Sequence, residues 1–133
     1  MKSYTDISQS KKLAEILPLE SADCFWDYDN LQKYHRISWF EEGYDKDSQL
    51  RLNENNVCAW SLTALLGVIP TMICSIFEKN ALRLRIDKSE TDFNIWYENI
   101  DTGMVEEGFD IIKTNPVDAC YEMILKLNEL TLL

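Results

Sequence analysis

Apolar and polar residues alternate in two stretches of the second half of the chain, residues 81–87 and 93–97. A period of two is typical of a strand with one buried face. A turn signal at residues 101–103, which ends in a glycine, leads into residues 104–112. The pattern therefore predicts three strands, with the last two joined as a hairpin. The apolar positions of the first two strands are Leu82, Leu84, Ile86, Phe93, Ile95 and Tyr97.

The C-terminal residues carry the signals of an amphipathic helix. Asn115 is an N-cap residue, Pro116 follows at the first helical position, and Asp118 lies in the first turn, where the helix dipole favours a carboxylate. Apolar residues then recur at helical spacing. We expect them to face the same core as the strand of residues 81–87. This apolar face consists of Val117, Cys120, Tyr121, Ile124 and Leu127.

The N-terminal residues predict another helix. Thr5 or Ser8 is its expected cap, a loose apolar stripe runs to Leu17, and Pro18 ends it.

Two short strands, residues 22–28 and 34–42, are predicted on either side of the turn signal Asp29-Asn30, and they are expected to form a hairpin. The polar residues 41–56 that follow indicate a loop.

Residues 57–77 form a run without a charge. The spacing within residues 60–69 predicts a helix that is apolar nearly all round and therefore buried, and Pro70 ends it. A second buried segment is expected after the proline. A transmembrane segment is the alternative for a run of this length. The central proline, the hydroxyl-bearing residues and the lack of a positive cluster at either end favour a buried core.

These elements give the order α-β-β-α-β-β-β-α. Hairpin-joined strands with helices before, between and after them predict an α+β fold, with an antiparallel sheet and about three helices. Because the chain has 133 residues and only four glycines and three prolines, we expect a single domain over residues 1–133.

The charge of the chain restricts its partners. The net charge is −10, and residues 91–133 hold nine acids against two lysines. Affinity for nucleic acid and for anionic lipid normally comes from clustered Lys and Arg. Neither nucleic acid nor a membrane is therefore an expected partner, whereas a basic protein surface is.

The four cysteines, Cys24, Cys58, Cys74 and Cys120, lie far apart in the sequence, and none is near the single histidine, His35. A structural zinc site needs Cys or His ligands in close pairs, so no metal site is predicted. The N-terminal residues form no apolar signal segment, which favours the cytoplasm, where thiols stay reduced. We expect four buried free thiols.

The sequence contains none of the common catalytic motifs, whether glycine-rich phosphate loop, zinc-protease motif or serine-nucleophile motif, and no cofactor is predicted. Residues 27–30 begin like a calcium loop but lack its later ligands, so they indicate a turn. An enzyme is the alternative function. It would use a thiol beside His35, or Glu98 and Glu106 facing each other across the hairpin.

Two segments concentrate charge of one sign. Arg83 and Arg85, with Lys79 and Lys88 at the strand ends, form a basic patch that we expect to pair with acids of the same sheet. Residues 98–110 carry five acids with no intervening base, and such a surface lowers stability through repulsion. We therefore predict that it binds a basic partner. Its acids are Glu98, Asp101, Glu106, Glu107 and Asp110.

Four segments form a further pattern: residues 11–18 with 20–23, residues 60–66, Trp96-Tyr97-Glu98, and residues 115–124. The pattern resembles a group of short uncharacterised proteins from gut anaerobic bacteria and their phages or mobile elements. The resemblance spans most of the chain and implies no activity or cofactor, only an accessory or interaction role. The expected function is that of a small acidic, non-enzymatic binding or accessory protein.

Overall fold

The computed structural model describes residues 2–74 and 80–133. These residues fall into two compact units, an N-terminal unit of residues 3–65 and a C-terminal unit of Lys2 with residues 66–133. Four helices and two antiparallel sheets are present in the part that the structure describes, which confirms the predicted α+β class. The single domain over residues 1–133 stays a prediction.

The elements follow the predicted order, with short additions. They are α1 (Ile7–Ala14), a 3-10 helix (Leu19–Ser21), β1 (Cys24–Asp29), β2 (Tyr34–Trp39), α2 (Lys46–Leu50), β3 (Val57–Ala59), α3 (Leu62–Val68), β4 (Met72–Cys74), β5 (Ala81–Lys88), β6 (Phe93–Asn99), β7 (Val105–Lys113) and α4 (Pro116–Glu129).

Helix α1 begins one residue away from the predicted Thr5 cap. The carboxylate of Asp6 accepts the N–H of Gln9, and the Gln9 side chain accepts the N–H of Asp6, which makes a capping box. The predicted caps Thr5 and Ser8 are therefore wrong. Thr5 is fully buried, and its hydroxyl accepts the backbone N–H of Trp60 at 3.1 Å instead.

The sheet of the N-terminal unit has the strand order β2-β1-β3 and is antiparallel. Strands β1 and β2 confirm the predicted hairpin. The predicted loop of residues 41–56 contains α2, because Asp45 caps a short helix by accepting the N–H of Ser48 at 3.2 Å.

The uncharged run of residues 57–77 is divided among β3, α3 and β4. Helix α3 is short because Ser61 caps it through the N–H of Ala64 and Pro70 follows it. Leu65 is its only buried residue, so the prediction of a helix buried all round is wrong. In β4, Ile73 is buried but its two neighbours are exposed. The prediction of a second buried segment after the proline is therefore wrong as far as residue 74. Residues 75–77 of that segment lie outside the described residues.

No helix in the described ranges is both long and apolar enough to cross a membrane.

The sheet of the C-terminal unit has the order β4-β5-β6-β7, and α4 packs against β6 and β7. Asn115 caps α4 by accepting the N–H of Val117 at 2.8 Å, as predicted. Leu82 on β5 shares the buried side of the sheet, whereas Ile86 is 44% exposed. The predicted core face of β5 is therefore wrong at its C-terminal end, because the helix lies over the other two strands.

Candidate protein-binding surfaces

The predicted acidic surface lies mainly on the outermost strand of the four-stranded sheet. Asp101 is exposed in the turn before β7, Glu107 and Asp110 are exposed on β7, and Glu106 is half-buried. Within the described residues, β7 pairs with β6 alone. The binding of a basic partner by these acids stays a prediction.

The structure separates Glu98 from the other four acids. Its side chain is 11% exposed and accepts a hydrogen bond from Nε of Arg83 at 2.7 Å, while Nε of Arg85 lies at 3.6 Å. The hydrogen bond from Arg83 and the two positive charges lower the pKa of Glu98 below its usual value. The prediction that the arginines pair with acids of their own sheet is confirmed. Lys79 lies outside the described residues.

The proposed carboxylate pair of Glu98 and Glu106 does not form. Glu98 is opposite Val105, and a bulge follows at which Gly108 takes a φ of +85°. Adjacent strand residues point to opposite faces, so Glu106 points away from the face that Val105 shares with Glu98. The prediction that the two acids face each other is wrong.

Acids on an outer strand also have a structural use. Such a strand presents unpaired backbone N–H and C=O groups, and charged side chains and bulges keep other chains from pairing with it. Strand β7 carries both a bulge and exposed acids. Protection of the outer strand therefore accounts for the exposed acids Glu107 and Asp110 without requiring that they bind a partner.

The thiol alternative lacks its geometry at Cys24. The ring of His35 packs 4.9 Å from that of Tyr28, its partner across the β1–β2 hairpin, whereas Cys24 lies at the opposite end of that hairpin. Burial raises the pKa of the three buried thiols, to about 12 for Cys120, which disfavours the nucleophilic thiolate. All four thiols are free, but Cys74 is exposed, so the prediction of four buried thiols is wrong there.

The turn signal at Asp29-Asn30 is confirmed, whereas residues 27–29 of the predicted turn belong to β1. The carboxylate of Asp29 accepts the N–H groups of Leu31 at 2.8 Å and Gln32 at 3.1 Å, and these hydrogen bonds lower its pKa. Within the described ranges, no group of three or more His, Cys, Asp or Glu could hold a metal ion.

The N-terminal unit has a cleft that the sequence analysis missed, which we call the aromatic cleft. It has a volume of about 400 Å³ and lies between the ends of β1 and β2 and the segment around α2. Three large side chains on it are left open to solvent: Trp39 is 56% exposed, Tyr44 68% and Leu52 84%. The lining residues are Phe25, Ser38, Trp39, Glu41, Tyr44, Gln49 and Leu52.

A second depression of about 380 Å³ adjoins the aromatic cleft and shares Glu41 and Tyr44 with it. Its apolar wall is Phe40, whose ring packs 4.9 Å from that of Phe25. Lys46 Nζ lies 5.5 Å from the centre of the Phe40 ring and donates to the backbone oxygen of Glu20 at 2.8 Å.

The segment that carries the cleft is fixed by one side chain. The amide of Gln49 donates to the backbone oxygens of Glu41 at 3.3 Å and Tyr44 at 3.2 Å, and its oxygen accepts the N–H of Glu41 at 2.9 Å. Gly43 supplies the positive φ of +83° that the turn requires. The cleft is therefore held in shape by the hydrogen bonds between the Gln49 side chain and the backbone of residues 41–44.

The charge on the rim of the cleft is negative. Glu41 and Glu42 are exposed, and neither has an ion-pair partner within the described part of the chain. The nearby Lys46 is already held by backbone oxygens, and Arg51 pairs with Asp47 at 2.8 Å. Among the described residues, the rim thus presents two carboxylates that form no ion pair, with Lys46 as the one cation lining the same depression.

Comparison with protein-family models, with curated proteins and with solved structures gives no match for this chain.

Proposed function

We propose that this chain is a non-enzymatic binding protein of the cytoplasm, and that its aromatic cleft takes up a segment of a basic protein partner. The observation that carries the proposal is the exposure of Trp39, Tyr44 and Leu52 around one preformed cleft with an acidic rim. The four free thiols fit a reducing compartment. The resemblance to short proteins of gut anaerobes and their phages fits an accessory role.

Exposed aromatic residues around a concave site are typical of binding surfaces. Trp and Tyr are enriched among the residues that dominate binding energy, because they bury a large area at a small cost in conformational entropy. Single exposed apolar residues are ordinary on a protein surface. Here the exposed Trp39, Tyr44 and Leu52 line the same cleft, which favours recognition of an apolar side chain.

The acidic rim defines the charge of the partner. An apolar side chain in the aromatic cleft would place its neighbours beside Glu41 and Glu42, where Lys or Arg would be favoured. An acidic or phosphorylated segment would meet two carboxylates that form no ion pair among the described residues.

The fixed backbone of the cleft favours binding without rearrangement. Because Gln49 already orders the turn of residues 41–44, binding needs little further ordering of this segment, and preorganisation of this kind raises affinity.

The proposal is tested by selection from a displayed library of random linear peptides. We expect the full chain to enrich peptides that combine an aromatic or aliphatic residue with Lys or Arg close by in sequence. The Trp39→Ala variant should enrich none of them. Enrichment of acidic peptides, or the same peptides selected by the variant, would contradict the proposal.

A further inference from the structure

The strand register of the C-terminal unit places two residues of opposite charge on either side of a tryptophan. Arg85 on β5 pairs with Trp96 on β6, and Trp96 pairs with Asp110 on β7. Residues directly opposite each other in a sheet share one face, so the three side chains form a row on the side of the sheet that faces away from Leu82, Ile95 and Tyr97. We call this side the outer face.

The charges that the strand register pairs on the outer face nearly balance, although Glu107 on β7 is also exposed and the chain as a whole has a net charge of −10. The register assigns to it two arginines, Arg83 and Arg85, and three acids, Asp87, Glu98 and Asp110. Two copies of an acidic chain repel each other over most of their surfaces. A face with balanced charge is therefore the place where two copies can approach.

Apolar side chains lie beside these charges. Met72 pairs with Arg83, Val105 with Glu98, and Ile112 with Asn94, which places all three on the outer face. Met72 is 58% exposed, Val105 50% and Ile112 57%. Covering them would contribute apolar burial to an association.

We propose that the outer face binds a second copy of this chain in a two-fold symmetric dimer. Consider two sheets that face each other, with a two-fold axis parallel to β6 midway between them. This axis places the strands of the second copy in reverse order over those of the first, and it leaves each row of paired residues at the same position along the strands. Trp96 of each copy then lies opposite Trp96 of the other, and Arg85 of each lies opposite Asp110 of the other. This row is thus complementary to itself, which an isologous interface requires. In the next row Glu98 of each copy lies opposite Glu98 of the other, and each of these acids is paired with Arg83 and Arg85 of its own sheet.

The small size of the face indicates a weak dimer. Four strands about 4.8 Å apart and five residues of about 3.4 Å each give a footprint of roughly 300 Å² per copy. Stable complexes bury about 800 Å² per partner, so this contact belongs with the small interfaces of transient complexes.

Sedimentation equilibrium of the full chain between about 10 μM and 1 mM, a range in which weak dimers are populated, tests the proposal. We expect dimerisation across that range, weakened about tenfold or more by Arg85→Glu alone and by Asp110→Arg alone, because each creates two repulsive contacts in the dimer. An equimolar mixture of the two variants should dimerise again, because both contacts then join opposite charges.

The control is the double variant Arg85→Glu/Glu129→Arg, whose second change restores the net charge of the chain at an exposed acid at the end of α4 that is not on the outer face. This double variant should dimerise as weakly as Arg85→Glu alone, although its net charge equals that of the wild type. A wild-type chain that is monomeric throughout, a dimer that Asp110→Arg leaves intact, or a mixture that fails to restore the dimer would each overturn the proposal. Asp110→Arg alone decides the matter if Arg85→Glu, whose new carboxylate lies near Glu98, does not fold.

Discussion

The carboxylate of Glu98 on β6 lies 2.7 Å from Nε of Arg83 and 3.6 Å from Nε of Arg85 on the adjacent strand. One acid thus pairs with two arginines that share a face of β5. Because these charges favour the ionised form, the pKa of Glu98 lies below its usual value in the folded protein.

Replacing Glu98 with Gln should flatten the acid dependence of stability. A lowered pKa stabilises the folded state fully above the ordinary glutamate pKa of about 4.3, and this contribution is lost as the pH falls through the folded-state value. Between about pH 5 and pH 3, the free energy of unfolding in urea should therefore fall more steeply for the wild type than for Glu98→Gln. Glu129→Gln should follow the wild type, and parallel curves for Glu98→Gln and the wild type would refute the pairing.

The thiols should react in two classes. Cys74 is exposed, whereas burial raises the pKa of Cys24, Cys58 and Cys120, so one thiol should react rapidly with a thiol reagent and three only on unfolding. Cys74→Ser should remove the rapid phase and leave the slow one. Rapid reaction of more than one thiol in the native protein would contradict the burial of Cys24, Cys58 and Cys120.

The packing of α4 is tested by Ile124→Ala. Ile124 is fully buried, so the substitution should lower the free energy of unfolding by about 2–4 kcal/mol through lost transfer energy and the cavity that remains. Glu122→Ala, an exposed position on the same helix, should change it by less than about 0.5 kcal/mol. Similar effects of the two substitutions would mean that α4 does not pack on the sheet.

The acidic strand β7 allows a kinetic test with polylysine as the probe. If its acids attract a basic partner, the double variant Glu106→Gln/Glu107→Gln should slow association at low salt and leave the melting temperature nearly unchanged. The salt effect should fade near 0.1 M, where charges are screened beyond about 10 Å. The matched variant Glu15→Gln/Glu20→Gln removes the same charge elsewhere. If both variants slow association equally, the acids of β7 only protect an outer strand.

Local signals in the sequence predicted local structure well. Asn115 and Pro116 located the start of α4, because an N-cap and a proline at the first helical position act through adjacent backbone groups. The α1 cap was missed because Thr5 has a distant partner, the backbone of Trp60. Likewise, the exposure of Cys74 follows from its place in the short outer strand β4, which local periodicity does not show.

The candidate site was less accessible to sequence reasoning. Trp39 and Leu52 are separated along the chain by residues that look like a polar loop, and the hydrogen bonds of Gln49 help to order that segment. The usable signal was the presence of Tyr44 and Leu52 as isolated large apolar residues in a polar stretch. In the acidic segment, the charges can be read from the sequence but their cross-strand partners cannot. The sequence therefore predicts that the arginines pair with acids of the sheet but does not identify Glu98 as the partner of Arg83.

The affinity of the aromatic cleft for a library-selected basic peptide tests the central claim most directly. Isothermal titration of the full chain should show that Trp39→Ala weakens binding at least about tenfold, as expected for a residue that dominates an interface. Tyr34→Ala removes another exposed aromatic residue of β2 that does not line the cleft, and it should bind like the wild type with an unchanged melting temperature. Equal affinities of the wild type and Trp39→Ala, or equal losses in both variants, would contradict binding at the cleft.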